Sequence, residues 1–310
     1  MEFYLQLCNS GVPQGSILGP LLFSLFINDF PLVLSFCSVH LFADDVQIYF
    51  TSDELLNITD IERKINFDLR NVFNWSVSNT LPLNPSKTKA LFISKLKTTP
   101  NPPLLYLNDS IIPFVEQVNN LGLIFTNKLD WVAQINSQCR KVYISLKQLN
   151  MTTKHFDPEF KLKLFKTLIL PHFNYTNFIY SNATGIAVDR LRVALNSCVR
   201  YVYNLNRYSR VSHLHKHLKG CPFSNFYKYR SCVNLHRIIT SKTPIYLYTK
   251  LNSFHNLRTF NYIIPNHNSF YYSQSFFARG IVNWNNLPTQ IKRMKCKFIF
   301  KRDLLAYYNN

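Results

Sequence analysis

A chain of 310 residues that is 47% hydrophobic, 15% aromatic and 16% charged is long enough for about two domains and too apolar to be disordered. Its formal charge of +19 is unevenly spread: residues 1–100 hold 7 Lys and Arg against 9 Asp and Glu, while 101–310 hold 28 against 7. That asymmetry argues against a basic partner for the second part and suits a polyanion bound beside a metal site, with a basic membrane-surface protein as the competing account of charge alone.

The chain opens with the loop Ser10-Gly11-Val12-Pro13-Gln14-Gly15-Ser16, two glycines around a proline. An almost wholly apolar run over 17–30 follows and predicts a buried helix. Asn28, Asp29 and Pro31 interrupt the apolar stretch 17–37, which argues against a membrane span. Val39-His40-Leu41 and Val46-Gln47-Ile48-Tyr49-Phe50 alternate, so 39–50 reads as a hairpin around Phe42-Ala43-Asp44-Asp45. Over 54–79 the residues Leu55, Ile58, Ile61, Ile65, Leu69, Val72 and Trp75 recur at helical spacing, with Asp53, Glu54, Asp60 and Glu62 near the start to suit the dipole. Pro82 and Pro85 break that helix, and 90–93 reads as a short strand. Prolines 100, 102 and 103 mark a loop before strands at 104–107, 111–112 and 121–125, with a turn at Asn108-Asp109.

Helices are expected at 131–149, 158–169, 186–204, 222–240 and 289–306. Residues 161–250 carry 15 Lys and Arg and one acid, Asp189. The fold class is therefore α+β, an α/β first part followed by a basic helical region. Seven cysteines, an odd number without a C-x-x-C pair or an apolar leader, predict reduced thiols in an intracellular protein, nuclear or cytoplasmic and not secreted, with no disulfide partner.

Asp44 and Asp45 hold two carboxylates at one tight turn, where like charges repel unless a cation bridges them or water screens them. Taken alone they read first as a solvated acidic hairpin turn, with a Mg²⁺ site for nucleotidyl transfer as the functional alternative. In the loop at 11–15, glycines at both ends allow close backbone approach and Gln14 offers a donor and an acceptor; an ordinary loop leading into a helix is the alternative. His213, His215, His217 and Cys221 have no second pair at zinc-ligand spacing. Phe226-Tyr227-Lys228-Tyr229-Arg230 suits base stacking with phosphate neutralisation, or a helix with aromatics inside and cations outside.

Taken in order, Gly11-Val12-Pro13-Gln14-Gly15-Ser16-Ile17-Leu18-Gly19-Pro20-Leu21-Leu22-Phe23, Ile27-Asn28-Asp29 and Phe42-Ala43-Asp44-Asp45 resemble consecutive blocks of the reverse transcriptase of non-LTR (LINE-type) retrotransposons. Leu83-Asn84-Pro85-Ser86-Lys87-Thr88-Lys89 resembles the next block, and Leu121-Gly122-Leu123-Ile124 with Leu129-Asp130-Trp131 the one beyond. The likeness continues more weakly through Tyr227-Lys228-Tyr229-Arg230 to Ser275-Phe276-Phe277-Ala278-Arg279 and Trp284-Asn285-Asn286-Leu287-Pro288.

The resemblance implies a partial polymerase palm at 1–126, a helical thumb-like region at 127–220 and a basic helical C-terminal region at 221–310. It implies an RNA-directed DNA polymerase that uses Mg²⁺, an RNA template, a DNA primer and deoxynucleoside triphosphates, without a membrane partner. Asp44 is implied as a Mg²⁺ ligand with Asp45 beside it, and Lys87 as a phosphate-neutralising or proton-donating residue. Gly11, Pro13, Gln14 and Gly15 are implied to line the template and nucleotide pocket, and Leu121-Gly122 to support the primer end. The family's further metal-binding Asp belongs to an upstream block, whereas ten residues precede Gly11 here and Glu2 is their one acid. The expectation is an N-terminally truncated chain with little activity alone; a non-catalytic nucleic-acid-binding remnant is the alternative.

Overall fold

The computed structural model describes residues 11, 15–51, 57–94, 101–179, 183, 185–220, 223–252, 255–256, 259–264, 266 and 270–309. Two compact units divide the chain, Met1–Val118 and Asn119–Asn310. Helices alternate with small two-stranded sheets, an α+β architecture.

In the first unit, helix α1 spans Gly19–Phe26. Pro20 sits in its first turn, where a missing N–H costs nothing, and the Gly19 N–H donates to the Ser16 hydroxyl at 3.1 Å. The expected buried helix through residue 30 is corrected on both counts. The helix stops at Phe26, and it faces solvent: Gly19 is its one buried residue, while Leu25 is 66% exposed. Apolar composition supplies a drive toward burial but no surface to pack on. The residues that do find a core are Ile27 and Phe30, just past the helix, where they meet Val72 and Trp75. Pro31 then opens a 3-10 turn, Phe30–Val33.

Strands β1 (Ser38–Phe42) and β2 (Asp45–Tyr49) form an antiparallel hairpin. Helix α2 (Ile58–Ser78) follows, with Asn57 capping it by accepting from the Thr59 N–H. It starts later than the expected 54; Asp53, Glu54 and Leu55 lie outside the described residues, and Asp60 is the acid of the first turn. The apolar stripe behaves as its spacing requires, with Leu69, Val72 and Trp75 buried. Trp75 meets Phe30 edge-on, ring centroids 5.1 Å apart. Leu69 faces a second small core of Leu105, Leu107 and Ile112.

That core is backed by β3 (Tyr106–Leu107) and β4 (Ser110–Ile111), a hairpin turning at Asn108-Asp109 with Asn108 at φ +54°. The expected strand at 90–93 is a single parallel bridge between Ala90 and Phe114. Ala90 donates to Pro113 and accepts from Val115, and Pro113 has no N–H with which to extend the ladder.

The second unit begins inside β5 (Gln117–Asn120), which pairs with β6 (Leu123–Thr126). The expected strand 121–125 is thus corrected, since Leu121-Gly122 is the turn. Helix α3 (Val132–Thr152) packs on α6 (Gly185–Val202). Between them in sequence, α4 (Pro158–Leu164) runs through a π-helical turn, Phe165–Ile169, into α5 (Leu170–Asn174). Asp157 caps α4 by accepting from the Phe160 N–H at 2.7 Å. Ile135, Val142, Phe165, Ile169, Leu195 and Val199 make this core. Helix α7 (His215–Lys219) places His215 in the interior, hydrogen-bonded to Asn196 at 2.6 Å.

A separate core lies among α8 (Phe223–Ser241), α9 (Ile245–Asn252), the short strands β7 (His255–Asn256) and β8 (Asn261–Tyr262), α10 (Phe270–Ser273), α11 (Phe276–Asn285), α12 (Thr289–Lys292) and α13 (Lys297–Asn309). The helix expected over 289–306 is two helices, corrected because α12 ends after one turn and α13 starts afresh at Lys297. Lys292 is the last residue of α12, and its ammonium is drawn inward to the Asn261 side chain at 2.6 Å and the Asn285 carbonyl at 2.8 Å. The tail motif Trp284–Pro288 is structural. The Asn285 amide both donates to and accepts from the backbone of Tyr262, and the Trp284 indole donates to the Phe260 carbonyl. Among the described residues no helix is long and apolar enough to cross a membrane, and Cys37, Cys139, Cys198, Cys232 and Cys296 are free thiols.

Candidate functional site

The β1–β2 register pairs Phe42 with Asp45, which leaves Ala43 and Asp44 as a two-residue loop. Ala43 has φ +51°, and a positive φ at the first loop position alone is the pattern of a type II′ turn. Val39, Leu41 and Ile48 pack against the core of Ile27, Phe30, Val72 and Trp75. The opposite face carries His40, Phe42, Asp45, Gln47 and Tyr49, all exposed, with His40 stacked on Tyr49 at 5.1 Å. Asp44 at the tip and Asp45 at the start of β2 are both exposed. One face of the hairpin is therefore fixed by burial, and the two carboxylates are presented at its other end.

The four carboxylate oxygens of Asp44 and Asp45 are a donor set for a hard cation, which binds through one or two carboxylates with waters or phosphates completing its shell. Among the described residues no group of three or more His, Cys, Asp or Glu stands at metal-holding distance. The hairpin thus fits one side of a Mg²⁺ shell and leaves the remaining positions to other oxygens.

What holds the base of the hairpin was not anticipated from the sequence. Asp68 of α2 is fully buried, and its carboxylate accepts three consecutive backbone N–H groups: Ser35 at 2.8 Å, Phe36 at 2.9 Å and Cys37 at 2.7 Å. On the same helix face, the Asn71 amide donates to the Val33 carbonyl at 3.2 Å and the Trp75 indole to the Asp29 carboxylate at 3.2 Å. Residues 29–37 are thus held along α2 up to the first residue of β1. Burial, and then the neighbouring Asp68 carboxylate, push the Cys37 thiol up to about 12. A signal was available: Ile61, Ile65, Asp68, Val72 and Trp75 follow alternating steps of four and three, so an acid stands where the stripe calls for an apolar residue.

The other expected site residues fall in several places. Gly11 and Gly15 have φ +86° and +90°, a left-handed backbone that glycine adopts without strain, and both are exposed. Pro13 and Gln14 lie outside the described residues. Lys87 is exposed on a turn organised by Asn84, whose carbonyl accepts the Lys87 N–H at 3.2 Å. Leu83, four residues earlier, packs on the same core as the hairpin, so this turn and Asp44-Asp45 share one support. Leu121 and Gly122 belong to the second unit and take φ +50° and +77°. The Tyr175 hydroxyl donates to the Leu121 carbonyl, and its ring lies against Gly122.

Residues 3–125 match the family model described as reverse transcriptase (RNA-dependent DNA polymerase). That stretch contains the glycine loop, the Asp44-Asp45 hairpin, the Lys87 turn and Leu121-Gly122. This stretch is similar to the reverse transcriptases. The chain is also similar to a probable RNA-directed DNA polymerase from transposon X-element of Drosophila melanogaster, 24% identical over 221 residues, which cover 68% of this chain and 23% of that protein. An RNA-directed DNA polymerase from mobile element jockey of Drosophila funebris is 23% identical over 221 residues, 68% of this chain and 24% of its own length. The chain spans about a quarter of the length of the curated relatives it matches. No solved structure matches it. Within the matched stretch, the structure adds the Asp68 anchor and the strained Leu121 turn to the residues that its blocks point to.

Proposed function

We propose that this chain carries the palm hairpin of an RNA-directed DNA polymerase of a non-LTR retrotransposon, joining deoxynucleotides to a DNA primer on an RNA template. The observation that carries the reading is the exposed Asp44-Asp45 pair at a two-residue turn, one face of its hairpin buried, inside the stretch that matches the reverse transcriptases. A divalent cation supplies charge neutralisation at the nucleotide phosphates when bound. Asp44 offers its carboxylate oxygens as ligands, and Asp45 adds negative charge beside it. Gly11, Pro13, Gln14 and Gly15 line the pocket where template and incoming nucleotide pair, the two glycines keeping the backbone accessible. Lys87 neutralises phosphate or gives a proton to the departing pyrophosphate. The Leu121-Gly122 turn supports the primer end, with Tyr175 holding its carbonyl. The palm comprises 1–126, the thumb 127–220 and a basic C-terminal region 221–310, in an intracellular protein of nucleus or cytoplasm.

Two-metal nucleotidyl transfer calls for a further carboxylate, and none stands near the pair among the described residues. The chain alone is therefore expected to be inactive or nearly so. Primer extension on poly(rA)/oligo(dT) with the purified chain is expected to show no incorporation above that of Asp44→Ala. Robust incorporation abolished by Asp44→Ala would overturn the inactivity and leave the polymerase reading standing. Incorporation indifferent to Asp44→Ala would overturn the role of the hairpin. The second reading, a non-catalytic nucleic-acid-binding protein, is favoured by the 28 Lys and Arg against 7 acids over 101–310.

A further inference from the structure

We infer that Asp68 is the positioning residue of the hairpin, fixing where Asp44 and Asp45 stand by clamping the backbone that enters β1; this rests on the reading of Asp44 as a metal ligand. The clamp joins residues 31 to 33 positions apart in sequence, with three N–H donors at 2.7–2.9 Å converging on one carboxylate. Three successive N–H groups aimed at one anion form a nest, and charge-assisted bonds of this length hold their geometry more tightly than neutral ones. The carboxylate is fully buried, and among the described residues no Lys or Arg forms an ion pair with it. Its negative charge is thus met by these backbone dipoles and the adjacent Cys37 thiol rather than by a cationic side chain.

The location is specific to the hairpin. Cys37 is the last residue before β1, and the strand reaches the Ala43-Asp44 loop after five residues. Val39, Leu41 and Ile48 prevent the hairpin from rolling off the core, but alternating apolar contacts do not stop it from sliding along its own length. Three directional bonds at its entry do. Asn71 and Trp75 extend the same grip back to Val33 and Asp29, so α2 reads the connector as a continuous rail.

The test uses the full 310-residue chain and its variants Asp68→Asn and Asp44→Asn, followed by residue-resolved hydrogen exchange and by Mn²⁺ binding from electron paramagnetic resonance. In the unaltered chain, the Ser35–Cys37 amides are expected to be as protected as those of β1, although they lie outside any strand. Asp68→Asn retains one acceptor oxygen and turns an NH₂ toward the donors. It is expected to speed exchange over 35–42 roughly tenfold or more and to weaken Mn²⁺ binding about tenfold, leaving 69–78 and the second unit protected. Free exchange of Ser35–Cys37 in the unaltered chain overturns the proposal, whether or not the variant folds. So does a variant whose exchange over 35–42 is unchanged, or whose exchange rises uniformly through the first unit. Mn²⁺ bound equally by the unaltered chain and Asp44→Asn overturns the metal-ligand reading instead, and exchange alone then decides the role of Asp68.

Discussion

Asp68, Lys161 and Lys292 are buried charged side chains whose partners are neutral. Asp68 meets three N–H groups; Lys161 donates to the Asn204 side chain and the Lys154 carbonyl; Lys292 donates to Asn261 and Asn285. Burying an ion costs several kcal/mol, and each hydrogen bond to a charged group returns about 1.5–3 kcal/mol, so two or three good partners roughly offset the loss. Thiols show the opposite case, in which burial favours the neutral form. Cys232 is fully buried, and burial pushes its thiol up to about 12 from an ordinary value near 9. Below pH 9 folded and unfolded chains both hold that proton; between 9 and 12 the unfolded chain alone sheds it. Stability should therefore fall over that window, by on the order of 1 kcal/mol per pH unit for one such thiol. Urea midpoints taken at about pH 8, 9.5 and 11 should show the decline, and Cys232→Ala should make it shallower.

Turns show how an element can be built against the preference of its residues. The β5–β6 hairpin places Leu121 at φ +50° followed by Gly122 at φ +77°, so both loop positions are left-handed, as in a type I′ turn. Gly122 suits that conformation and Leu121 does not. A left-handed non-glycine residue costs about 1–2 kcal/mol, and the Tyr175 hydroxyl bond to the Leu121 carbonyl offsets part of it. Leu121→Gly should then stabilise the second unit by up to about 1 kcal/mol, while Gly122→Ala should destabilise it by about as much. The Gly122→Ala cost comes from the backbone, because the added Cβ would lie at an ordinary 3.6 Å from the Tyr175 ring. Thermal melts of both variants check the two signs together. The spacing rules that located α2 and α3 could not locate this turn, since Leu121 is a strand-compatible residue and its neighbours alternate on both sides.

Across the whole molecule the decisive quantity is charge. Four ion pairs occur among the described residues, Arg63–Asp60, Lys163–Glu159, Arg192–Asp189 and Arg302–Asp303, each mostly exposed and worth about 0–1 kcal/mol. With 28 Lys and Arg against 7 acids over 101–310, most cations there have no carboxylate to pair with. Salt should consequently act with opposite signs on two measurements. Raising NaCl from about 50 to about 500 mM should raise the melting temperature by screening self-repulsion, and should weaken binding of a labelled RNA or DNA oligonucleotide by orders of magnitude. Binding unaffected by salt would remove the case for a polyanion partner, and an Asp44→Ala variant that binds as well as the unaltered chain would place that binding outside the hairpin.

The sequence by itself determined the α+β class, the hairpin carrying Asp44 and Asp45, the buried stripe of α2 and the basic character of the second unit. Each is a local or additive property: alternation, helical spacing and net charge are summed along the chain and do not depend on what lies across from it. The exposure of α1, the reduction of 90–93 to one bridge, the split between α12 and α13 and the Leu121-Gly122 turn were decided only by tertiary structure. So was the Asp68 clamp, whose donors lie more than thirty residues away. Burial and hydrogen-bond satisfaction are pairwise between distant segments. A sequence shows that Asp68 stands on an apolar stripe, but only the fold shows which backbone it was placed there to hold.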